Sequence, residues 1–265
     1  MRCGLCTGAG ALVWLPPSAI LAFAVAMIAG HNLLDGVRSA HPLWVMLHSQ
    51  GFVVNRPEFV IFSVYPLIPW VGVTALGYSL GQIYRWPAER RQAFLLRCGL
   101  GVTAAFVALR AINVYGDPAP WLSQRSAVFT GLSFLNATKS PPSLLFVLMT
   151  LGPALLILRA LDNGTPRFLR PALVFGRVPL FYFVLHFSLI HVLAVIVCYA
   201  QNGAVHWMFE SPTLGDFPFT SPPGWGVSLR IVYVIWIGVV LMLYPVCAWF
   251  GAVKRRRPGG WLSYL

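Results

Sequence analysis

The chain has 265 residues, a mean hydropathy of +0.73, only 10% charged residues and a formal net charge of +12. Soluble domains carry about 25% charged residues. This composition therefore excludes a soluble domain and indicates an integral membrane protein. The basic residues lie at the ends of apolar segments and form no stripe with interleaved aromatic residues, which argues against a nucleic-acid partner.

Six apolar segments are each long enough to cross a bilayer, since a spanning helix needs about 20 mostly apolar residues. In chain order they are Pro17–Leu34, Phe59–Tyr84, Gln92–Tyr115, Ser143–Leu161, Val178–Ala200 and Leu229–Val253. They leave no room for a second, soluble domain. The sequence therefore predicts a single integral membrane domain over residues 1–265, an all-α polytopic bundle of about six transmembrane helices.

Basic residues cluster in alternate loops, and this asymmetry predicts the topology. The richer groups are Arg85, Arg90 and Arg91, then Arg159, Arg167, Arg170 and Arg177, then Lys254, Arg255, Arg256 and Arg257. Since cytoplasmic loops carry the excess of Lys and Arg, six spans place both termini in the cytoplasm. The longer loops, 31–58, 116–142 and 201–227, then lie on the outer side, where a site open to that side could form.

The first segment has to be distinguished from a signal peptide. The apolar run from Ala9 to Gly30 is longer than the apolar region of a signal peptide, which usually has about 7–15 residues, and Pro16-Pro17 interrupts it. We therefore expect a retained helix that begins at Pro17. Cys3 and Cys6 form a Cys-x-x-Cys pair without a second pair, which is a weak metal signal, and we expect no metal.

Two histidines in the fifth segment are the leading catalytic candidates, because polar side chains inside a span are costly. His186 and His191 are five residues apart, about 140° around a helix, so they should not ligate one metal together. Tyr182 shares a face with His186 and is a candidate substrate contact. A buried neutral histidine can act as a general base or acid; packing against a neighbouring helix is the structural alternative.

Four polar residues around the third and fourth segments are candidates for binding a substrate or an anion. Arg110, near Asn113, could bind an anion, pair with a carboxylate or extend to the interface. Asn136 and Lys139 precede Pro141-Pro142, which suit the start of a helix. A helix N-terminus favours phosphate or carboxylate.

Three further candidates lie at segment ends. His31 and Asp35 are four residues apart and share a face if the first helix continues. An Asp that orients a His is a recurrent acid–base arrangement, and a polar helix end is the alternative. Arg177 opens the fifth segment, where it could bind a phosphate of a nucleotide-like cofactor or simply anchor the helix at the cytoplasmic surface.

Three stretches together resemble a known family. They are Tyr65–Val73 followed by Leu76–Tyr78, then Phe134–Leu144, then Phe175–Tyr182 with His186 and His191. In this order, from about Pro17 to the C-terminus, they resemble the bacterial branch of the heparan-α-glucosaminide N-acetyltransferase catalytic-domain family, most of whose members have no assigned substrate.

The resemblance implies a multi-pass N- or O-acetyltransferase of the bacterial inner membrane. Acetyl-CoA or another acyl-CoA would be the cytosolic donor. The acceptor would be an amine or hydroxyl of a sugar on the far side of the membrane. Family members usually begin with further helices that carry an Asp-x-Leu-Arg-Gly-type stretch and an Asp-His pair. This chain resembles the C-terminal two-thirds of the catalytic domain. We therefore expect a truncated gene model or a protein in which His186 or His191 substitutes.

Two other functions stay open. One is a transporter or flippase for a small anionic or sugar-linked substrate, with helices broken at Pro66, Pro69, Gly72 and Gly152-Pro153. The other is a non-catalytic membrane subunit. The expected partners are membrane lipid, a small-molecule acyl donor and a sugar-like acceptor, and a homo-oligomer is also compatible with the sequence.

Overall fold

A computed structural model describes residues 14–56, 59–210 and 220–256. The first half contains α1 (Pro17–Gly30), α2 (Pro42–Leu47), β1 (Gly51–Arg56), β2 (Phe59–Ser63), α3 (Leu67–Gly81), α4 (Ala88–Ile112) and α5 (Ala127–Leu135). The second contains α6 (Leu144–Leu161), α7 (Ala172–Arg177), α8 (Pro179–Asn202) and α9 (Leu229–Arg256). Short 3₁₀ helices cover His31–Leu34, Gln82–Arg85, Arg167–Leu169 and His206–Phe209. The predicted Cys3–Cys6 pair, Arg257 and part of the 201–227 loop lie outside the described residues.

Five helical segments of the described chain are long and apolar enough to cross a membrane. They are Pro17–Leu34, Ala88–Ile112, Leu144–Leu161, Pro179–Asn202 and Leu229–Arg256. The predicted class, an all-α polytopic protein, is confirmed. The first helix begins at Pro17 as predicted, since Pro16 still has an extended backbone. Proline suits the first helical position because an N–H there would have no partner within the helix.

The predicted second segment, Phe59–Tyr84, was wrong at its beginning. Phe59–Ser63 is a strand that pairs antiparallel with β1, and the helix starts only at Leu67. Aromatic and β-branched residues favour a strand, and Pro66 holds an extended backbone just before the helix. Periodicity cannot distinguish a short apolar strand from a buried helix. Helix α3 and the turn Gln82–Arg85 together extend about 30 Å, close to the thickness of the hydrocarbon core.

The chain divides into two compact units, Met1–Gly164 and Thr165–Leu265. In the first unit α1 packs against α3 and α4 packs against α6. Small residues allow these close approaches. A Cβ built on Gly99 would lie 2.7 Å from Cδ2 of Leu156, and one built on Gly152 would lie 2.8 Å from the backbone nitrogen of Thr103.

An ion pair joins the start of α4 to the end of α6. Arg91 donates from Nε and Nη2 to the two carboxylate oxygens of Asp162, at 2.8 and 2.9 Å. These bonds hold the pKa of Asp162 below its ordinary value. The bidentate geometry fixes the relative position of the two helix ends.

The second unit is built on α7, α8 and α9. Its buried cluster is Val178, Cys247 and Phe250. The rings of Phe181 and Phe250 stack with their centroids 4.0 Å apart. This packing fixes the first turns of α8 against the last turns of α9.

Substitution of Gly152 by Ala should destabilise the protein. The new methyl would meet the backbone of Thr103, which cannot rotate away, and over-packing typically costs about 1–3 kcal/mol. The control is Gly101→Ala, because a Cβ at Gly101 meets nothing within 4 Å. We expect a lower thermal unfolding midpoint in detergent for Gly152→Ala only. Equal midpoints for the two variants would contradict the close contact between the helices.

Substitution of Asp162 by Asn should destabilise the protein at neutral pH but not in acid. Because the folded-state pKa lies below the unfolded one, the stabilisation is present above the unfolded pKa and is lost as the pH falls through the folded pKa. The unfolding midpoints of wild type and variant should differ at about pH 7 and converge toward about pH 3. Glu210→Gln, at an exposed carboxylate, should show no such convergence. A difference that does not depend on pH would exclude the ion pair as its cause.

Candidate functional site

Arg110, one of the predicted anion contacts, is 1% exposed in the last turn of α4. Its guanidinium donates to the carbonyls of Phe134 (2.9 Å), Ala119 (3.0 Å), Ser133 (3.2 Å) and Asn136 (2.8 Å). Nη1 also lies 4.0 Å from Oδ2 of Asp117. The charge therefore holds residues 117–136 on the end of α4, and the chain's own oxygens use four of its five N–H donors.

Asp117 is a buried carboxylate that the sequence analysis missed. Its oxygens accept from Thr138 N (2.7 Å), Thr138 Oγ1 (2.8 Å), Ser143 Oγ (2.8 Å) and Ala119 N (2.8 Å). The start of α6, predicted to attract an anion, thus lies beside a carboxylate of the same chain. The signal for it was the Gly116-Asp117-Pro118 run, since Asp favours turns in which its side chain bonds the following backbone.

The first N–H groups of α6 are also occupied. Leu144 N donates to Oδ1 of Asn32 at 2.9 Å, Leu145 N to the Gly116 carbonyl at 2.9 Å, and Phe146 N to Ser143 Oγ at 3.1 Å. A helix N-terminus binds an external anion through its unpaired N–H groups. These three have partners within the chain.

The other candidates near this network have different environments. Asn113 ends α4 in the left-handed conformation and forms two side-chain bonds with the backbone of Trp121, each 3.1 Å long. The side chain of Asn136 lines a cavity of 570 Å³ together with that of Gln124. Lys139 is exposed, and within the described ranges no side chain pairs with it. The structure brings Arg110, Asn113 and Asn136 together and leaves Lys139 at the surface.

A second polar cluster lies where α1 ends. His31 and Asp35, both predicted, are joined there by His48, which the sequence analysis did not single out. Nε2 of His48 lies 2.8 Å from the His31 carbonyl and 3.6 Å from Oδ1 of Asp35. Because a carbonyl only accepts, this Nε2 carries a proton. The helix does not continue in α form past Gly30, so the 3₁₀ turn sets the spacing of His31 and Asp35.

Neighbouring groups hold this cluster in place. Asn32 donates from Nδ2 to Oδ2 of Asp35 at 2.8 Å, and the Trp44 ring stacks on His48 with centroids 5.1 Å apart. The hydroxyl of Tyr115 donates to the Ala29 carbonyl. Burial, reinforced by the Asp35 charge, raises the pKa of Tyr115, which keeps this donor protonated.

Asp35 and His48 also line a cavity of 660 Å³. His48 is 4% exposed and His31 is 3% exposed. In the part of the chain that the structure describes, no group forms a well-formed hydrogen bond with either ring nitrogen of His31, although the Pro142 backbone interacts with the ring. A small molecule in this cavity would therefore contact a carboxylate and an imidazole.

The remaining candidates lie in the second unit. Nδ1 of His186 is 3.1 Å from the Tyr182 carbonyl, and the two rings stack with centroids 5.0 Å apart. His191 packs edge-on against Phe209. Arg177 is exposed at the end of α7, immediately before α8. The structure thus brings Tyr182 and His186 together and places Arg177 two residues before the start of their helix.

The five helices of the described residues that are long and apolar enough to span a membrane indicate an integral membrane protein. Residues 5–115 match the family described as heparan-alpha-glucosaminide N-acetyltransferase, catalytic. The match covers less than half of the chain and contains the Tyr65–Tyr78 motif, so the resemblance found in the sequence is confirmed there. By this match, residues 5–115 are similar to the catalytic region of a membrane acetyltransferase. No curated protein matches the chain, and no solved structure matches it either.

Replacement of Arg110 by Lys should be strongly destabilising. A lysine keeps the charge but cannot supply the planar set of donors, and breaking a buried charged network typically costs about 3–5 kcal/mol. Arg125→Lys is the matched control, since Arg125 is exposed and binds no other side chain in the described chain. Urea unfolding in mild detergent should separate the two variants. Equal stability would mean that Arg110 does not hold the loop.

Proposed function

We propose that this protein is a bacterial inner-membrane enzyme that transfers an acetyl group from acetyl-CoA to an amine or hydroxyl of a sugar-like acceptor. The family match supports the class of reaction. The observation that carries the proposal to particular residues is the bond between His186 and the carbonyl of Tyr182. The family resemblance supports the choice of donor and acceptor, and this contact supports the choice of site residue.

The bond fixes the tautomer of His186. A carbonyl oxygen can only accept, so Nδ1 must carry the proton, and the lone pair then lies on Nε2. Stacking on Tyr182 restricts rotation of the ring. A neutral imidazole with a fixed lone pair is prepared to accept a proton.

The same helix gives the donor two separated contacts. Arg177 directly precedes α8, and His186 lies seven residues beyond Pro179, about 10 Å along the helix axis. Acetyl-CoA has its phosphates at one end and its thioester at the other. Arg177 would bind a phosphate at the basic end of the helix, and the extended arm would bring the thioester toward His186.

The reaction is a single displacement at the thioester. The acceptor O–H or N–H gives its proton to Nε2 of His186, and the freed electron pair forms the new bond to the acetyl carbon. The C–S bond breaks, and the electron pair leaves on the sulfur of coenzyme A. The imidazolium then returns its proton to that thiolate, so protons and charge balance over the cycle.

The transporter alternative rested on broken helices, and the described helices give it no support. Helix α6 continues through Gly152 and Pro153, and α3 begins after Pro66 and includes Pro69. Transporter sites of the expected type use discontinuous helices. A non-catalytic subunit remains the alternative that an activity assay has to exclude.

The test uses the full chain in proteoliposomes with acetyl-CoA and a panel of amino sugars, neutral sugars and short oligosaccharides. Coenzyme A release is followed with a thiol reagent, and the acetylated acceptor is identified by mass spectrometry. Acceptor-dependent release with a matching product supports the proposal. Uptake of an unmodified sugar would favour a transporter, and no product with any acceptor would favour a non-catalytic subunit.

His186→Gln should reduce kcat about 10²–10⁴-fold, the usual contribution of a positioned general base. Glutamine retains the approximate size and polarity of histidine but cannot accept a proton at neutral pH. His206→Gln is the control, because His206 is exposed outside the spanning helices. Wild-type kcat in His186→Gln would exclude His186 as the base, and His191→Gln should then be measured in the same assay.

A further inference from the structure

We propose that His31, Asp35 and His48 form a binding site for a divalent transition-metal ion, with Zn²⁺ as the best fit. The proposal does not depend on acetyl transfer, since it concerns a cluster in the first unit that this reaction does not use. Two imidazoles and one carboxylate are a common ligand set for zinc. The same set can also hold Fe²⁺.

The three residues converge on one point. One potential ligand atom from each lies within 4.8 Å of the others. Ligand atoms around a tetrahedral zinc, with bonds of about 2.1 Å, are about 3.4 Å apart. Side-chain movements of about 1 Å would therefore close the site around an ion. Among the described residues this is the one group of His, Cys, Asp and Glu with such spacing.

His31 provides an independent observation that favours a ligand. Its side chain is 3% exposed, and among the described residues neither ring nitrogen has a well-formed hydrogen bond, although the Pro142 backbone interacts with the ring. A buried polar group without a partner costs about 1–3 kcal/mol, and most such groups in folded proteins have one. A metal ion at the cluster would satisfy one nitrogen of His31.

The neighbouring contacts are of the kind that support metal ligands. Asn32 binds Oδ2 of Asp35 and leaves Oδ1 facing His48. Nε2 of His48 lies 3.6 Å from Oδ1 of Asp35 and donates to the His31 carbonyl, so an ion bound through this nitrogen would replace that hydrogen bond.

The site would keep an open position. Three protein ligands leave a fourth place for water or a small molecule, as in catalytic zinc sites. Asp35 and His48 line the 660 Å³ cavity. The ion would therefore be accessible to solutes from that cavity, which distinguishes it from a closed structural zinc site.

The experiment measures metal binding to the full-length, untagged protein in detergent after chelator treatment. Cys3→Ala and Cys6→Ala are introduced first, so that the Cys-x-x-Cys pair cannot contribute. Zn²⁺ affinity and stoichiometry are determined by competition with a chromogenic chelator. His31→Gln and Asp35→Asn are the test variants, and His206→Gln is the matched control.

We expect one Zn²⁺ per chain, at least 10-fold weaker binding in each test variant, and unchanged binding in His206→Gln. No stoichiometric binding, or equal affinity in all variants, would overturn the proposal and leave the cluster as a hydrogen-bonded His–Asp pair. If a test variant does not fold, Co²⁺ replaces Zn²⁺ in the parent protein. Its absorption and X-ray absorption spectra should then show nitrogen and oxygen ligands with two imidazoles, and a spectrum without imidazole would equally overturn the proposal.

Discussion

The first unit depends on one buried charge, that of Arg110. A guanidinium away from water is costly unless its donors have acceptors, and the acceptors here are four carbonyls of the loop that follows α4. Asp117 lies close by and is itself satisfied by Thr138 and Ser143. Residues that would otherwise form a long irregular loop are therefore held against the ends of two spanning helices. The Arg110 charge therefore fixes the backbone conformation of this loop.

A single amide connects this network to the His31–Asp35–His48 cluster. Asn32 accepts from the first N–H of α6 and donates to the Asp35 carboxylate. The end of α1, the start of α6 and the cavity beside His48 therefore share one rigid set of hydrogen bonds. Any ligand that repositions Asp35 would act on the start of α6 through Asn32.

The sequence predicted the spanning helices well because length and hydropathy report the bilayer constraint directly. It failed at Phe59–Ser63, where an apolar run is a strand, because hydropathy does not distinguish the two conformations. Pairing with a carboxylate was one of three alternatives predicted for Arg110, and Asp117 does lie 4.0 Å from it. Its hydrogen-bond acceptors, however, are four backbone carbonyls, which no sequence pattern displays. His48 was missed because it is 17 residues from His31 and joins it only through the fold of the intervening segment. His186 stays a predicted catalytic candidate, chosen from the cost of a polar side chain in a span, and its contact with the Tyr182 carbonyl became visible only in the coordinates.

Position 32 illustrates how narrowly such a junction limits the choice of amino acid. The side chain has to present an acceptor to Leu144 and a donor to Asp35 on two separate atoms, from a buried site that is 9% exposed. Aspartate would lose the donor and bring two carboxylates close together. Leucine, which branches at the same carbon, would supply neither atom, and glutamine would be one methylene too long. Asparagine is the short side chain that carries both functions. We therefore expect this position to tolerate almost no other amino acid, although Asn32 is neither charged nor a proposed ligand.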